Sequence, residues 1–204
     1  MSPKVANPAV RTALIEKAAR LIAEEGPDAL TLRRLAAEVG ASTMVVYTHF
    51  GGMDDLRQEV RREGFDRLAQ HLAAVAATDD PVADLVVLGW AYLQHATTNP
   101  DLYRVMFTER PAQRDEEPTF LTLVDAVERC LAARRFAAAD ALFLATQLWA
   151  AAHGVASLQV AGMLDADEAA GSLEALGANL MVGFGDCPDQ VAASLTRARP
   201  CMVP

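Results

Sequence analysis

LRRLAAEVGASTMVVYTHF, residues 32–50, reads as two short helices joined by a tight turn, and the rest of the chain is understood from it. Leu32, Leu35, Ala36 and Val39 recur at helical spacing. Gly40 can take the left-handed backbone conformation that ends a helix, and Ser42 stands where a side chain can cap the next one. In the second helix Val46 and Phe50 lie four residues apart on one face, while Thr43, Met44, Val45, Tyr47, Thr48 and His49 fill the rest of the surface. One narrow stripe packs and the remainder is presented. A helix this short does not persist alone in water, so neighbouring segments must hold it up. The shape is that of a helix-turn-helix whose second helix enters a DNA major groove.

The support comes from the flanking residues. A flexible arm at residues 3–8 is followed by a helix at 10–25, with Leu14, Ala18, Leu21 and Ile22 as its apolar stripe and Gly26-Pro27 as its stop. Thr31 is placed to cap the helix that opens the quoted stretch. Three helices can then enclose a small core of Leu14, Ala18, Leu21, Leu32, Leu35, Val39, Val46 and Phe50. Gly51-Gly52 breaks the third helix, and a long helix at 53–77 connects this head to a larger body.

In the body, helices are expected at 82–98, 102–107, 119–134, 137–164 and 167–184, with a charged surface loop at 108–118. No element is assigned after Asp186. Strand signals are scarce, so the expected fold is all-α: a three-helix head at 1–52 and a helical effector-binding and dimerisation body at 53–204.

Composition narrows the function. With 204 residues and 52% hydrophobic content, the chain can bury a substantial core. No secretory signal is recognised at the start, and the segment between Asp140 and Asp165, although free of charged residues, carries Thr146, Gln147, His153, Ser157 and Gln159. It is read as a helix buried in protein on most sides, with no membrane partner. Cys130, Cys187 and Cys201 form no CxxC, which argues against a zinc site or disulfide framework and fits a reducing cytoplasm. His71 and His95 are expected on solvated or partly packed faces. The net charge is −9, yet residues 1–57 carry seven basic and seven acidic side chains, so the surplus belongs to the body. No Ser/His/Asp set, phosphate loop or metal spacing is present, so neither catalytic residues nor a cofactor are expected.

The head resembles the DNA-binding domain of TetR-family transcriptional regulators through Gly26, Leu30, Thr31, Leu32, Leu35, Ala36, Val39, Gly40, Ser42, Tyr47, His49, Phe50 and Leu56. The body resembles the WHG-type ligand-binding domain through NPDLYRVMF at 99–107 and LWAAAHG at 148–154. The resemblance implies a homodimer that binds a palindromic double-stranded operator and leaves it when a small hydrophobic or amphipathic effector enters the body. One departure stands out: Met53, followed by Asp54 and Asp55, occupies the start of the fourth helix, where the family usually has Lys. A phosphate contact from that side chain is thereby lost, although the backbone N–H groups at the helix start can still meet a phosphate, and a dimeric ligand-binding or interaction module with weak or lost DNA binding is the alternative it raises.

Physical arguments attach to each part. Tyr47 and His49 can hydrogen-bond phosphates, and Thr43, Met44, Val45 and Thr48 can meet base edges and thymine methyls. Thr31, Ser42, Arg33 and Arg34 complete the DNA-facing set, the two arginines as phosphate or base contacts or as solvated charges. Trp149 and His153 share a helix face and serve either as satisfied core groups or, with Trp90, Gln94, Tyr103, Met106, Phe107 and Phe120, as walls of an effector pocket. Gln147, Ala150, Gly154, Ser157 and Ala161 form a small-residue face, as do Gly171, Ala175, Ala178 and Val182. These two faces build either a four-helix dimer interface or an intrachain contact.

Overall fold

The structure, a computed structural model, describes residues 7–108 and 118–201. Ten α-helices and no strand are found among the described residues. They form two compact units, residues 7–67 with 99–108 and residues 68–98 with 118–201. The first unit therefore extends beyond residue 52. Of the expected arm, residues 3–6 lie outside the described residues, as do 109–117 of the expected loop.

In the first unit, α1 (Pro8–Glu25) starts two residues earlier than its apolar stripe suggests, because Asn7 accepts a hydrogen bond from the Ala9 N–H and Pro8 suits the first turn. After Gly26, at φ 89°, a 3-10 turn at Pro27–Ala29 leads to α2 (Leu32–Glu38) and α3 (Thr43–Phe50). The unit closes with α4 (Met53–Ala73) as far as Arg67 and with α6 (Pro100–Met106). Leu14, Leu35, Val46, Leu56 and Val60 are wholly buried, joined by Leu102 and Val105 of α6, while Leu32, Val39, Val45 and Met53 pack half-buried against them. A Cβ on Gly64 would lie 2.5 Å from the Met106 Cγ, so α4 and α6 approach too closely there for any side chain. Arg67 ties the same elements polarly, at 3.3 Å from Glu16 of α1 and 3.0 Å from Asn99, the cap of α6.

In the second unit, α5 (Pro81–Thr98) packs against α7 (Pro118–Ala132), α8 (Ala141–Val160), α9 (Ala166–Gly183) and α10 (Pro188–Ala198). Val82, Leu85, Leu88, Tyr92, Leu93 and Ala96 are among its buried residues in this bundle. His95 is completely buried too, a correction to its expected surface position, and its ring lies 5.5 Å from that of the half-buried His71. A capping box between Asp165 and Glu168 starts α9.

Two further expectations are corrected, and one unassigned segment is resolved into a helix. The helix expected at 137–164 begins only at Ala141, because Asp140 caps it through the Phe143 N–H at 3.2 Å and the Ala137 N–H is bonded to the Phe184 carbonyl at 2.8 Å. It is also not buried on most sides: 28% of its most apolar window is buried, and its open face is apolar. The segment after Asp186, left unassigned, forms α10 and buries Val191, Ser194 and Ala198.

Candidate functional site

The reading corner is set by local chemistry. The Thr31 hydroxyl accepts the Arg34 N–H at 3.3 Å, starting α2 as expected, and Gly40, at φ 65°, reverses the chain. Ser42 occupies the cap position of α3, but its side chain makes no capping bond and is exposed. Along α3 only Val46 and Phe50 are buried. Val45 and His49 are half-buried, whereas Thr43 and Thr48 are exposed, as are Met44 (69%) and Tyr47 (49%). The Thr48 hydroxyl donates back to the Met44 carbonyl at 2.8 Å, which turns its methyl into the group most available to a partner. The helix thus offers hydroxyls, a thioether and methyl groups outward, and no formal cation.

The two adjacent arginines divide their roles. Arg34 grips Glu25 with both guanidinium nitrogens, at 2.8 and 2.5 Å, and these hydrogen bonds hold the Glu25 carboxyl below its usual range. Lys17, Arg20 and Arg57 also face carboxylates, and Arg11 pairs with Glu59. Arg33, which is exposed, has no ion pair among the described residues. Met53 is not simply a missing cation, because its side chain packs against the core of the unit.

In the second unit the expected effector residues fall into two groups. Phe120, Trp149 and His153 come together: Phe120 meets Trp149 edge-on with ring centroids 6.0 Å apart, and Trp149 lies 5.5 Å from His153. Tyr92, which sequence reasoning did not select, completes the cluster through its hydroxyl, 2.9 Å from His153 Nδ1. Burial pushes the His153 pKa down, so the neutral imidazole is favoured. Trp90 and Gln94 instead line a cleft of about 500 Å³ with residues of α4, α10 and the turn before α5. Tyr103, Met106 and Phe107 belong to the first unit, where Phe107 packs edge-on against both Phe65 (5.9 Å) and Tyr103 (5.5 Å).

A buried polar tie was also missed. Arg135 reaches Asp186 at 2.9 and 2.7 Å and Asp80 at 3.1 Å, and the Ser194 hydroxyl lies 2.9 and 2.8 Å from the two Asp80 oxygens. Although desolvation opposes it, these partners and the Ala83 N–H hold the Asp80 carboxyl below its usual range. The tie joins the turn before α5, the chain before α8, the turn between α9 and α10, and α10 itself.

The small faces of α8 and α9 are open. Ala150, Gly154 and Ala161 are exposed and Gln147 and Ser157 half-buried; on α9 Gly171, Ala175 and Val182 are exposed and Ala178 half-buried. A Cβ on Gly154 or Gly171 would meet nothing outside its helix within 4 Å among the described residues. Exposed Phe143 (63%), Leu158 (48%), Met163 (72%) and Leu176 (43%) lie on or beside these helices.

Comparison with known proteins gives two family matches: the tetR family of bacterial regulatory proteins over residues 14–60, and the tetracyclin repressor-like C-terminal domain over residues 85–180. An uncharacterized HTH-type transcriptional regulator of Mycobacterium tuberculosis is 32% identical over 169 residues, 79% of this chain and 76% of the relative. Among solved structures, a protein of unknown function from Rhodococcus sp. RHA1 is 25% identical, with a TM-score of 0.73 over 91% of this chain and 100% of its own. A TetR-like transcriptional regulator from the same organism, 19% identical, shares the fold with a TM-score of 0.69 over 87% of this chain and 98% of its own.

Proposed function

Given that the chain belongs to the TetR family of transcriptional regulators, we propose that it is a homodimeric repressor that binds a palindromic operator and is released by a small-molecule effector. The observation that carries the DNA reading is the division of α3: Val46 and Phe50 hold it to the core, and Thr43, Met44, Tyr47 and Thr48 face outward. Thr and Met side chains suit thymine methyls and base edges, Tyr47 suits a phosphate oxygen, and Arg33 supplies the free charge. In this reading Val45 acts mainly as packing beneath the reading surface.

The dimer reading draws support from the open faces of α8 and α9. Among the described residues, nothing outside the helix lies within 4 Å of a Cβ at Gly154 or Gly171, so these positions do not serve packing between the described helices. An exposed apolar face of this kind fits a two-fold contact with a second copy, four helices meeting closely. We read the apolar character of α8 in the same way, as a protein interface in a cytoplasmic regulator rather than a lipid contact. Two heads so joined would address half-sites about 34 Å apart, and the effector would favour an arrangement of the second unit that disfavours this spacing. Phe120, Trp149, His153 and Tyr92, with Trp90 and Gln94 of the cleft, are the effector-binding candidates.

The test is selection of genomic fragments by the full chain, followed by titration of the recovered duplex. Saturable, sequence-dependent binding supports the reading. Weak binding indifferent to sequence would instead favour an interaction module that has lost its operator.

A further inference from the structure

The cleft beside α5 has walls drawn entirely from the second unit. Its lining runs along α5 from Ala83 to Gln94, about 16 Å at 1.5 Å per residue. Near the start of α5 the walls are polar, with Asp79, Asp80 and Arg197; two to three turns further along they are apolar, with Val87, Trp90 and Ala91, before the cleft ends at Gln94 and His71.

The charges in the polar part are not equivalent. Asp80 is fully engaged by Ser194, Arg135 and the Ala83 N–H, and Arg197 is committed to it at 3.2 Å. Asp84 is likewise held by the Thr78 hydroxyl at 2.7 Å and by Arg129 at 2.8 Å. Asp79 is exposed and has no hydrogen bond or ion pair among the described residues, which leaves one uncompensated negative charge at this part of the cleft. In the apolar part, the enclosed Trp90 indole nitrogen meets no acceptor among the described residues, so no hydrogen bond fixes the ring.

We infer that this cleft binds a small amphipathic organic cation, its apolar body lying against Val87 and Trp90 and its ammonium group at Asp79. The inference rests on the effector reading of the second unit and assigns its ligand a charge. An anion of the same shape is disfavoured, because Arg197 is already matched by Asp80 and Asp79 would repel it. The two ends of the guest are recognised separately, the ammonium by an ion pair at Asp79 and the apolar body by burial against Val87 and Trp90.

A matched pair of probes tests this, 4-phenylbutylamine and 4-phenylbutyric acid, which share an apolar body and carry opposite charges at neutral pH. Calorimetry on the full chain without DNA measures binding of each, and Asp79→Asn removes the proposed charge contact. A Trp149→Phe variant, leaving Trp90 as the single tryptophan of the two, reports by fluorescence whether the amine reaches the cleft. Saturable binding of the amine, perturbation of Trp90 and a loss of about fivefold or more in Asp79→Asn are expected. Equal binding of the acid, no saturable binding of the amine, or unchanged affinity in Asp79→Asn overturns the inference. Should Trp149→Phe fail to fold, the calorimetric comparison of wild type and Asp79→Asn still decides. Operator binding is measured separately on the ligand-free chain, so failure of either result leaves the other standing.

Discussion

Tyr92 and His153, on α5 and α8, share a 2.9 Å hydrogen bond between the phenol oxygen and Nδ1. It joins two helices at the centre of the bundle and places a titratable ring against the aromatic cluster.

Burial keeps the folded-state pKa of His153 below its ordinary value of 6.5. Between the folded and unfolded values the unfolded chain binds a proton that the folded chain does not. Its contribution to stability is therefore full above the unfolded value and falls as the pH drops through the window beneath it. Urea midpoints at about pH 7.5 and about pH 5.5 should show lower stability at the acid end, with the difference reduced in His153→Gln. An NMR titration placing the imidazole at or above 6.5 would contradict this.

Breaking the polar tie should cost far more than trimming its edge. Arg135, with a side chain 16% exposed, neutralises Asp80 and Asp186, so Arg135→Ala strips the buried Asp186 of its ion pair and leaves Asp80 to the exposed Arg197, and it should destabilise by about 3–5 kcal/mol. Arg197, 69% exposed, also touches Asp80, and Arg197→Ala should cost at most about 1 kcal/mol. Denaturant unfolding of both variants measures the contrast, and equal losses would refute the distinction.

The head was legible because its signals are local: Thr31 as a cap, Gly40 and Gly51 as stops, and apolar residues at helical spacing all act within one or two turns. The tie was not, because it depends on distant partners. Ser194 lies 114 residues from Asp80 and 59 from Arg135, and α10 becomes a packed helix through those contacts. The cleft is equally a product of assembly. Trp90 and Gln94 could be selected by residue type, but spacing along one helix does not show that they face α10 rather than the Trp149 cluster.

The open faces of α8 and α9 predict a dimer that one charge can split. Leu158 is 48% and Val182 39% exposed, beside the small residues that permit close helix approach. Leu158→Glu or Val182→Glu should raise the dimer dissociation constant by about 100-fold, near 2.7 kcal/mol, because burying an unpaired carboxylate opposes association. Sedimentation at micromolar concentration reads this out. A wild-type chain that sediments as a monomer would remove the dimer itself.

Met53 packs against the core of the first unit, yet a lysine stem can follow the same path with its ammonium directed outward. Met53→Lys should therefore tighten operator binding and steepen the dependence of log affinity on log salt by about 0.9 per protomer, one phosphate contact each. Fluorescence anisotropy across a salt series provides the measurement. Unchanged affinity and slope would mean that no phosphate lies within reach.

Arg33 and Arg34 are chemically identical neighbours separated by their partners. Arg34 is held by Glu25 through two hydrogen bonds, whereas Arg33 is exposed and has no ion pair among the described residues. A contact to DNA from Arg34 must break the Glu25 fork first, and one from Arg33 breaks nothing. Arg33→Ala should accordingly weaken operator binding by about tenfold or more while leaving thermal stability unchanged, and Arg34→Ala should weaken it less. Glu25→Gln separates the explanations: releasing Arg34 into solvent should strengthen binding and steepen its salt dependence. If Arg34→Ala proves the more damaging change and Glu25→Gln has no effect, the Glu25 pair is not what sets the two arginines apart.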